Sequence, residues 1–343
     1  MTIPRTEPGL VDSETAPSVS VVLPTHTERR YLRDCLDSLL AQDYPAVREI
    51  LVVDGGSVDG TRELADAEGG IVRLLDNPRV TAAAAMNVGI EAARGAVIVR
   101  ADAHALYAPD YVTRCVHTLL ETGADNVGGR MVPVGTTNFG RAIAATTSMK
   151  AGVGNGAFHY AGERQEVDTV FLGCWWRDTL ETLGGYDEES LQWAAEDHEL
   201  NYRLTEAGGR IVLDPKIRSV YFPRPDPRSL ARQYHNYGIG KASTLAKHGS
   251  LPTLRPLAPA GLVGAAAIAT VAARGPFRLA VPFVHALYCA KVGWSAGSDG
   301  AVAPHRAAAA VAIMHWSYGT GFWRGIVRAA AGRPFDNRPQ GHR

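Results

Sequence analysis

The sequence predicts an α/β fold in which a mostly parallel sheet is flanked by helices and followed by a helical, apolar C-terminal region. Short apolar runs alternate with helix-like stretches from Ser18 to Arg100, a pattern typical of parallel sheets with helices on both faces. From Pro256 onward, runs rich in Ala and Gly replace this alternation. The chain has 343 residues, 46% of them hydrophobic, which excludes a disordered chain or a small disulfide scaffold.

The predicted elements follow one another at short intervals. Strands are predicted at 18–23, 49–53, 71–75 and 96–100, with helices at 28–42, 61–68 and 82–93 between them. The first helix carries apolar residues at helical spacing, which gives it one face to bury. Further strands are predicted at 169–172 and 211–213, and further helices at 191–207 and 228–248. We expect a flexible tail over residues 1–17 and a single folded domain over residues 18–249.

The C-terminal part differs from the rest in charge. The whole chain has 35 basic and 35 acidic residues, yet the segment from Ser250 to Arg343 holds ten basic and two acidic ones. Its apolar stretches cover 256–273, 279–290 and 307–323. A basic, apolar, acid-poor region is typical of contact with an anionic membrane surface. We therefore expect a membrane-associated helical region at 250–330, with membrane-spanning helices, and a basic tail at 331–343; zero net charge gives no support to nucleic-acid binding.

Three polar clusters follow predicted strands, at residues 24–28, 54–57 and 102–104. Ligands of parallel sheets bind beyond the carboxyl ends of the strands, so one sheet edge should collect these clusters. Asp102 and His104 could converge on one cation that neutralises a diphosphate leaving group. An imidazole ligand favours manganese or another borderline ion over magnesium.

Two further acidic groups are candidates for chemistry. Asp54 ends a strand beside two glycines that let backbone approach a ligand, and its carboxylate could accept a hydrogen bond from a uracil imide. Glu196 and Asp197 lie on a predicted helix, where a carboxylate facing a cleft could take a proton from an attacking hydroxyl. Each motif alone is more typical of a turn, a helix cap or a solvated helix face than of a functional site.

Taken together, these motifs resemble family 2 glycosyltransferases of the GT-A fold from about Ser18 to Pro223. The matching segments are 21–28 (VVLPTHTE), 52–61 (VVDGGSVDGT), 86–90 (MNVGI), 100–104 (RADAH), Gly173, 185–188 (GYDE) and 196–204 (EDHELNYRL). The chain is more specifically similar to bacterial succinoglycan-type exopolysaccharide transferases with hydrophobic C-terminal helices. The stretch 312–324, with its His-Trp pair and Gly-x-Gly-Phe, is similar to theirs as well.

The resemblance implies a role for each matching residue. The residues implied to surround the nucleotide are Pro24, Thr25, Glu28, Asp54, Ser57 and Asn87. Asp102 would bridge the ribose and a Mn²⁺ or Mg²⁺ ion, and His104 would ligate that ion. Asp197 would be the general base, with Glu196 shaping the acceptor site. Trp175 and Trp176 are candidate platforms for a sugar ring.

Two departures from the family pattern bear on function. The usual D-x-D motif is D-x-H here, which still offers two ligands for a divalent ion. The Q-x-x-R-W signature of processive members is absent, and Gln233 and Tyr237 stand in the matching segment. The resemblance thus implies an inverting enzyme that moves one sugar per encounter from a nucleotide sugar, expected to be UDP-linked, to a lipid-linked or polysaccharide-precursor acceptor.

The N-terminal residues bear on the location of the protein, and two other functions are compatible with the motifs. The N-terminal residues lack the basic-then-apolar pattern of a signal peptide, so we expect the catalytic domain on the cytoplasmic face of the cell membrane. One alternative is a non-catalytic sugar-nucleotide-binding scaffold on the same fold. Another is a nucleotidyltransferase, although residues 24–28 contain no glycine for a phosphate-binding loop.

Overall fold

A computed structural model describes residues 16–154, 156–189, 194–251 and 253–332, and the contacts divide the chain into two units. Unit 1 comprises residues 1–132, 161–188 and 196–221, and unit 2 comprises 133–160, 189–195 and 222–343. This division differs from the predicted boundary after residue 249, because the helix Pro227–His248 packs with the C-terminal helices. Most of the two predicted tails lies outside the described residues.

The strands of the described residues all belong to one sheet. Their bounds are β1 Val19–Thr25, β2 Val47–Asp54, β3 Val72–Asp76, β4 Val97–Arg100, β5 Ala105–Tyr107, β6 Asn126–Pro133, β7 Gln165–Glu166, β8 Phe171–Trp176 and β9 Ile211–Tyr221. The helices are α1 Arg29–Leu40, α2 Thr61–Glu68, α3 Ala82–Ala92, α4 Tyr111–Thr122, α5 Asn138–Thr147, α6 Lys150–Val153, α7 Arg177–Thr182, α8 Glu196–Glu206, α9 Pro227–His248, α10 Leu257–Ala272, α11 Ala280–Ala296 and α12 Pro304–Ala330.

The sheet is mixed, so the expectation of a mostly parallel sheet was right for only one half of it. The strand order is β3-β2-β1-β4-β8-β6-β9-β5, with β7 paired to β9. The pairs among β1, β2, β3 and β4 are parallel, whereas β8 runs antiparallel to β4 and to β6. The regular strand–helix alternation that produces parallel pairing stops after β4, and β8 and β9 pair antiparallel with their neighbours β4, β6, β5 and β7.

The core of unit 1 lies between its apolar strands and the helices that cover them, and both halves of the sheet contribute to it. The buried face of α1 consists of Leu32, Cys35, Leu36 and Leu39, as its spacing predicted. Leu40, which the spacing also assigned to this face, is 42% exposed. On α3, a Cβ added at Gly89 would lie 2.3 Å from a methyl group of Val22. The glycine therefore allows α3 to pack directly against β1.

This packing sets the edge at which the polar clusters lie. Thr25 at the end of β1 pairs with Asp54 at the end of β2, and Val22 pairs with Arg100 at the end of β4. The residues that follow these strands therefore emerge along one sheet edge, as the sequence predicted.

Unit 2 is helical, and glycines allow its helices to approach closely. A Cβ at Gly321 of α12 would lie 2.0 Å from the His235 carbonyl oxygen of α9, and one at Gly319 would lie 2.2 Å from the Pro259 carbonyl oxygen of α10. The Gly-x-Gly-Phe motif noticed in the sequence thus places two helix backbones against α12. Larger side chains at either position would push the helices apart.

The three apolar stretches of the C-terminal region correspond to α10, α11 and much of α12. Within the described residues, no helix combines the length and the apolar character needed to cross a membrane. Association with a membrane stays a prediction.

A chain of hydrogen bonds between rings links α11 to α12. The Trp316 indole N–H donates to Nδ1 of His285 at 3.1 Å, and Nε2 of His285 lies 3.0 Å from Nδ1 of His315. His285 must therefore carry its proton on Nε2 and donate it to His315. His315 is further held by a backbone hydrogen bond to Gly152. Both rings are neutral in this arrangement.

Acid should therefore destabilise unit 2. Burial lowers the pKa of His315 to about 4, and repulsion from His285 adds to this effect. Because the folded pKa lies below the unfolded value of about 6.5, the stabilisation is full above pH 6.5 and is lost as the pH falls toward 4. We expect the free energy of unfolding in urea to drop by about 1–2 kcal/mol between pH 7.5 and pH 5.5. His315→Gln should show a smaller drop, and an equal drop in both proteins would contradict this assignment.

Candidate active site

Asp54 organises the loops that follow β1 and β2. Its Oδ1 accepts hydrogen bonds from the backbone N–H groups of Gly56 at 3.0 Å and Ser57 at 2.8 Å. Its Oδ2 accepts from the hydroxyls of Ser57 at 2.5 Å and Thr25 at 3.2 Å. Arg62 of α2 adds a contact of 3.2 Å. The carboxylate is thus surrounded by donors and has no exposed surface.

These donors keep Asp54 ionised. Burial alone would raise its pKa, but hydrogen bonds from Ser57, Arg62 and Thr25 lower it below its ordinary value. The Ser57 hydroxyl has partners for both its donor and an acceptor position, because it also accepts a hydrogen bond from the N–H of Thr27 at 2.8 Å. In this structure Asp54, Ser57 and Thr25 hold the two loops together, and direct contact of these residues with a nucleotide stays a prediction.

The loop after β1 is strained at one residue. Thr27 has φ +60°, a left-handed conformation that β-branched residues rarely adopt. The bond from its N–H to Ser57, and the bond from the N–H of Glu28 to Thr61 at 3.0 Å, hold it there. Such strain persists where surrounding contacts impose it and is common at ligand-binding loops.

His104 lies next to Glu28, and the backbone of Asp102 is hydrogen-bonded to Tyr107 and Cys35. Oε1 of Glu28 lies 3.5 Å from Nδ1 of His104. The backbone N–H of Asp102 donates to the Tyr107 hydroxyl at 2.7 Å, and its carbonyl accepts from the Cys35 thiol. Burial raises the pKa of Cys35, and the charges of Asp102 and Glu28 raise it further.

Arg100 contacts three carboxylates from two segments that are far apart in the sequence. Its Nε donates to Oδ1 of Asp102 at 3.3 Å, and its Nη1 donates to Oε1 of Glu196 at 3.2 Å and to Oδ1 of Asp197. Only 8% of the Arg100 side chain is exposed. Glu196 and Asp197 begin α8, so this single guanidinium joins β4 to the first turn of that helix.

The cluster has more negative than positive charge. Burial alone would lower the pKa of Arg100, but the three carboxylates hold it well above its usual range. Burial raises the pKa of Asp197 to about 7; Arg100 opposes this rise, and Glu196 and Asp102 add to it. A carboxyl group with a pKa near neutrality suits a general base, because it can both accept and release a proton at working pH.

Asn87 is hydrogen-bonded to the turn that lies beside this cluster. Its Nδ2 donates to the Tyr186 carbonyl at 2.9 Å and to Glu188 at 2.7 Å, and its Oδ1 accepts from the Tyr186 N–H at 2.8 Å. Burial raises the pKa of the Tyr186 hydroxyl, and the negative charge of Asp197 raises it further, so this ring lies near the acid pair. The amide of Asn87 thus fixes the turn that holds Tyr186; nucleotide contact stays a prediction.

The structure corrects one expectation and adds one residue. Trp175 is 1% exposed within β8, so it cannot be a platform for a sugar ring, and Trp176 packs against the hydrophobic core. Pro24 lies in β1 next to Thr25, as expected.

The sequence analysis assigned no role to Arg100, although a charged residue at the end of the apolar run VIVR was a usable signal. Trp193, before the acid pair, lies outside the described residues.

The residues present suit a divalent cation in part. Asp102 supplies a carboxylate and His104 an imidazole, a donor pair that borderline ions such as Mn²⁺ accept. Among the described residues, no three His, Cys, Asp or Glu side chains are grouped to hold a metal ion by themselves. Divalent ions at phosphate sites commonly combine one or two protein ligands with phosphate oxygens and water.

Comparison with known sequences gives consistent matches. The family described as Glycosyl transferase family 2 matches residues 20–169. The chain is 34% identical over 332 residues to the succinoglycan biosynthesis protein ExoA of Rhizobium meliloti, covering 92% of this chain and 97% of that protein. It is 27% identical over 241 residues to the dolichyl N-acetyl-alpha-D-glucosaminyl phosphate 3-beta-D-2,3-diacetamido-2,3-dideoxy-beta-D-glucuronosyltransferase of Methanococcus voltae, covering 67% of this chain and 74% of that protein.

A solved structure matches over nearly the whole chain. The mannosyltransferase PcManGT from Pyrobaculum calidifontis, solved with GDP-Man and Mn²⁺, superposes with a TM-score of 0.58 at 22% identity. The match covers 92% of this chain and 91% of that one. At this identity the likeness establishes the fold, which is GT-A with a mixed sheet.

The link between Asn87 and the turn at 185–188 can be tested by a double-mutant cycle. A Cβ at Gly185, where φ is +72°, would lie 2.5 Å from Oδ1 of Asn87. We expect Asn87→Ala and Gly185→Ala each to lower the free energy of unfolding by about 1–3 kcal/mol. The double variant should lose clearly less than the sum, because the alanine at position 87 removes the clash. Additive losses would show that the two residues do not interact.

Proposed function

Because this chain belongs to glycosyl transferase family 2, we propose that it moves one sugar from a nucleotide-sugar donor to a hydroxyl of a lipid-linked or polysaccharide-precursor acceptor, with inversion at the anomeric carbon. The observation that carries this proposal is the meeting of Asp102, Glu196 and Asp197 around Arg100. Acids about 95 residues apart in the sequence thereby share one charged cluster, which a donor and an acceptor would both have to reach.

In the proposed reaction, Asp197 is the general base. It accepts the proton of the acceptor hydroxyl while the hydroxyl oxygen attacks the anomeric carbon. A bond forms between that oxygen and the anomeric carbon, and the bond from the same carbon to the diphosphate breaks, releasing the nucleoside diphosphate. An α-linked donor gives a β-glycoside. Glu196 lies beside the base and lines the acceptor side.

On the donor side, Asp102 and His104 would hold a Mn²⁺ or Mg²⁺ ion. When bound, this ion would neutralise charge on the departing diphosphate. The loops organised by Asp54 and Ser57 would face the nucleotide, together with Glu28, Thr25 and Pro24. We propose uridine as the nucleoside of the donor, because the family resemblance implies it.

The names of the relatives support the acceptor class. The Rhizobium meliloti relative is named for succinoglycan biosynthesis, and the Methanococcus voltae relative is named for a dolichyl phosphate-linked sugar. We propose an acceptor of this kind, a growing exopolysaccharide precursor held on a lipid. The absence of the Q-x-x-R-W pattern from the sequence favours addition of a single sugar.

Exposed apolar side chains support a membrane location. Those on α10 and α11 that are more than half exposed are Ile268, Val271, Phe283, Val284, Leu287 and Trp294. Val271 is 84% and Phe283 62% exposed. The basic residues Arg274, Arg278 and Lys291 accompany them. Apolar side chains flanked by cations fit the interface of an anionic bilayer, and we propose that the protein works at the cytoplasmic face of the cell membrane.

The base assignment predicts a selective loss of turnover. Purified protein is screened with sugar nucleotides, Mn²⁺ and an acceptor extract, and release of nucleoside diphosphate is followed. Asp197→Asn should lower kcat by about 10²–10⁴-fold and leave nucleotide affinity nearly unchanged, whereas the exposed control Asp178→Asn should behave as wild type. Full activity of Asp197→Asn would refute the mechanism.

The same screen separates the competing functions. Release of pyrophosphate by the wild-type protein would indicate a nucleotidyltransferase. Metal-dependent nucleotide binding without transfer to any acceptor would indicate a scaffold.

The membrane proposal predicts lipid binding through α11. In sedimentation with vesicles, the wild-type protein should bind phosphatidylglycerol-containing vesicles more strongly than pure phosphatidylcholine ones. The double variant Phe283→Glu, Leu287→Glu should lose at least about tenfold in partitioning, because burying each side chain contributes about 1.5–3 kcal/mol. Leu40→Glu at the end of α1 serves as the control for an added charge at an exposed leucine. Unchanged binding of the double variant would exclude this surface.

A further inference from the structure

Arg100 has an unusual position for a charged side chain. It ends β4, whose other residues are apolar and fully buried, and it is itself buried. A guanidinium is rarely kept out of water unless it is paired and hydrogen-bonded. Its partners here are the residues predicted for catalysis and cation binding, so its role bears on that site.

The contacts use the shape of the guanidinium. Nε faces Asp102, while Nη1 reaches both Glu196 and Asp197. A lysine ammonium has the same charge but lacks the planar fork that places donors toward two separate groups. Three carboxylates against one guanidinium leave an excess of negative charge, which can attract a divalent cation, while the guanidinium repels such a cation.

We propose that Arg100 is a positioning residue, which holds the acceptor-side acids Glu196 and Asp197 against the donor-side Asp102 and, by its charge, limits how tightly a divalent cation binds at Asp102. This inference rests on the proposed function. Its two parts have opposite consequences. Loss of the guanidinium frees the base from its position and slows transfer, but it also removes a positive charge beside the cation ligand and strengthens cation binding.

The test measures Mn²⁺ binding and turnover on the same full-length variants. Mn²⁺ alone is titrated and the free ion is followed by electron paramagnetic resonance, and kcat is measured with the donor found in the screen. For Arg100→Met we expect Mn²⁺ to bind about 3–10-fold more tightly and kcat to fall at least about 100-fold. A variant that is merely misfolded would lose both properties.

Two further variants complete the design. Arg100→Lys keeps the charge, so its Mn²⁺ affinity should stay within about twofold of wild type, while kcat falls about tenfold or more because the fork is lost. If Arg100→Met does not fold, the test depends on Arg100→Lys, for which we expect an unchanged Mn²⁺ affinity together with a reduced kcat. Arg164→Met is the matched control, since Arg164 also bridges two carboxylates, Glu121 and Asp214, outside the site. It should lower thermal stability without changing Mn²⁺ affinity or kcat.

The outcomes separate this inference from the proposed function. Unchanged or weaker Mn²⁺ binding by a folded Arg100→Met variant, or an unchanged kcat, would overturn the role of Arg100 while the loss of turnover in Asp197→Asn still supported the transferase mechanism. An Arg100→Lys variant with wild-type turnover would also overturn it. A wild-type protein that binds no Mn²⁺ would overturn both the inference and the metal-dependent part of the proposed function.

Discussion

A guanidinium held out of water must be surrounded by negative charge, and at Arg100 this requirement joins segments that are far apart in the chain. The end of β4 supplies the positive guanidinium of Arg100, and the segment after β4 supplies Asp102. The first turn of α8 supplies Glu196 and Asp197. Asn87 fixes the turn that carries Tyr186 beside the same acids. The arrangement of these acids therefore depends on how one buried charge is compensated.

The sequence allowed the parallel half of unit 1 to be predicted well, because buried strands and amphipathic helices have distinct apolar patterns. It also indicated that the polar clusters after β1, β2 and β4 would share an edge. The antiparallel half was missed, since its strands pair through long-range reversals that no local pattern encodes. The helix Pro227–His248 was assigned to the first domain because nothing in its composition indicates which unit it packs with.

The site residues show a similar division between what sequence can and cannot predict. Motifs identified the acids, but their hydrogen-bond partners depend on tertiary structure. Asp54 could be proposed as a ligand-binding carboxylate, yet the structure places five hydrogen-bond donors around it. Trp175 was proposed from its residue type alone, and its burial in β8 excludes that role. Arg100 was visible in the sequence, but its significance depends on residues nearly a hundred positions away.

The helices of unit 2 have glycines where their backbones meet and large apolar residues on part of their outer faces. Gly319 and Gly321 let α12 lie against α10 and α9, whereas Phe283 and Val271 extend outward from α11 and α10. The side chains that hold these helices together are therefore different from those that face outward. Protein engineers could thus recode the outward-facing positions with hydrophilic residues, to obtain a version suited to crystallisation without detergent, while retaining the interior of the helical unit.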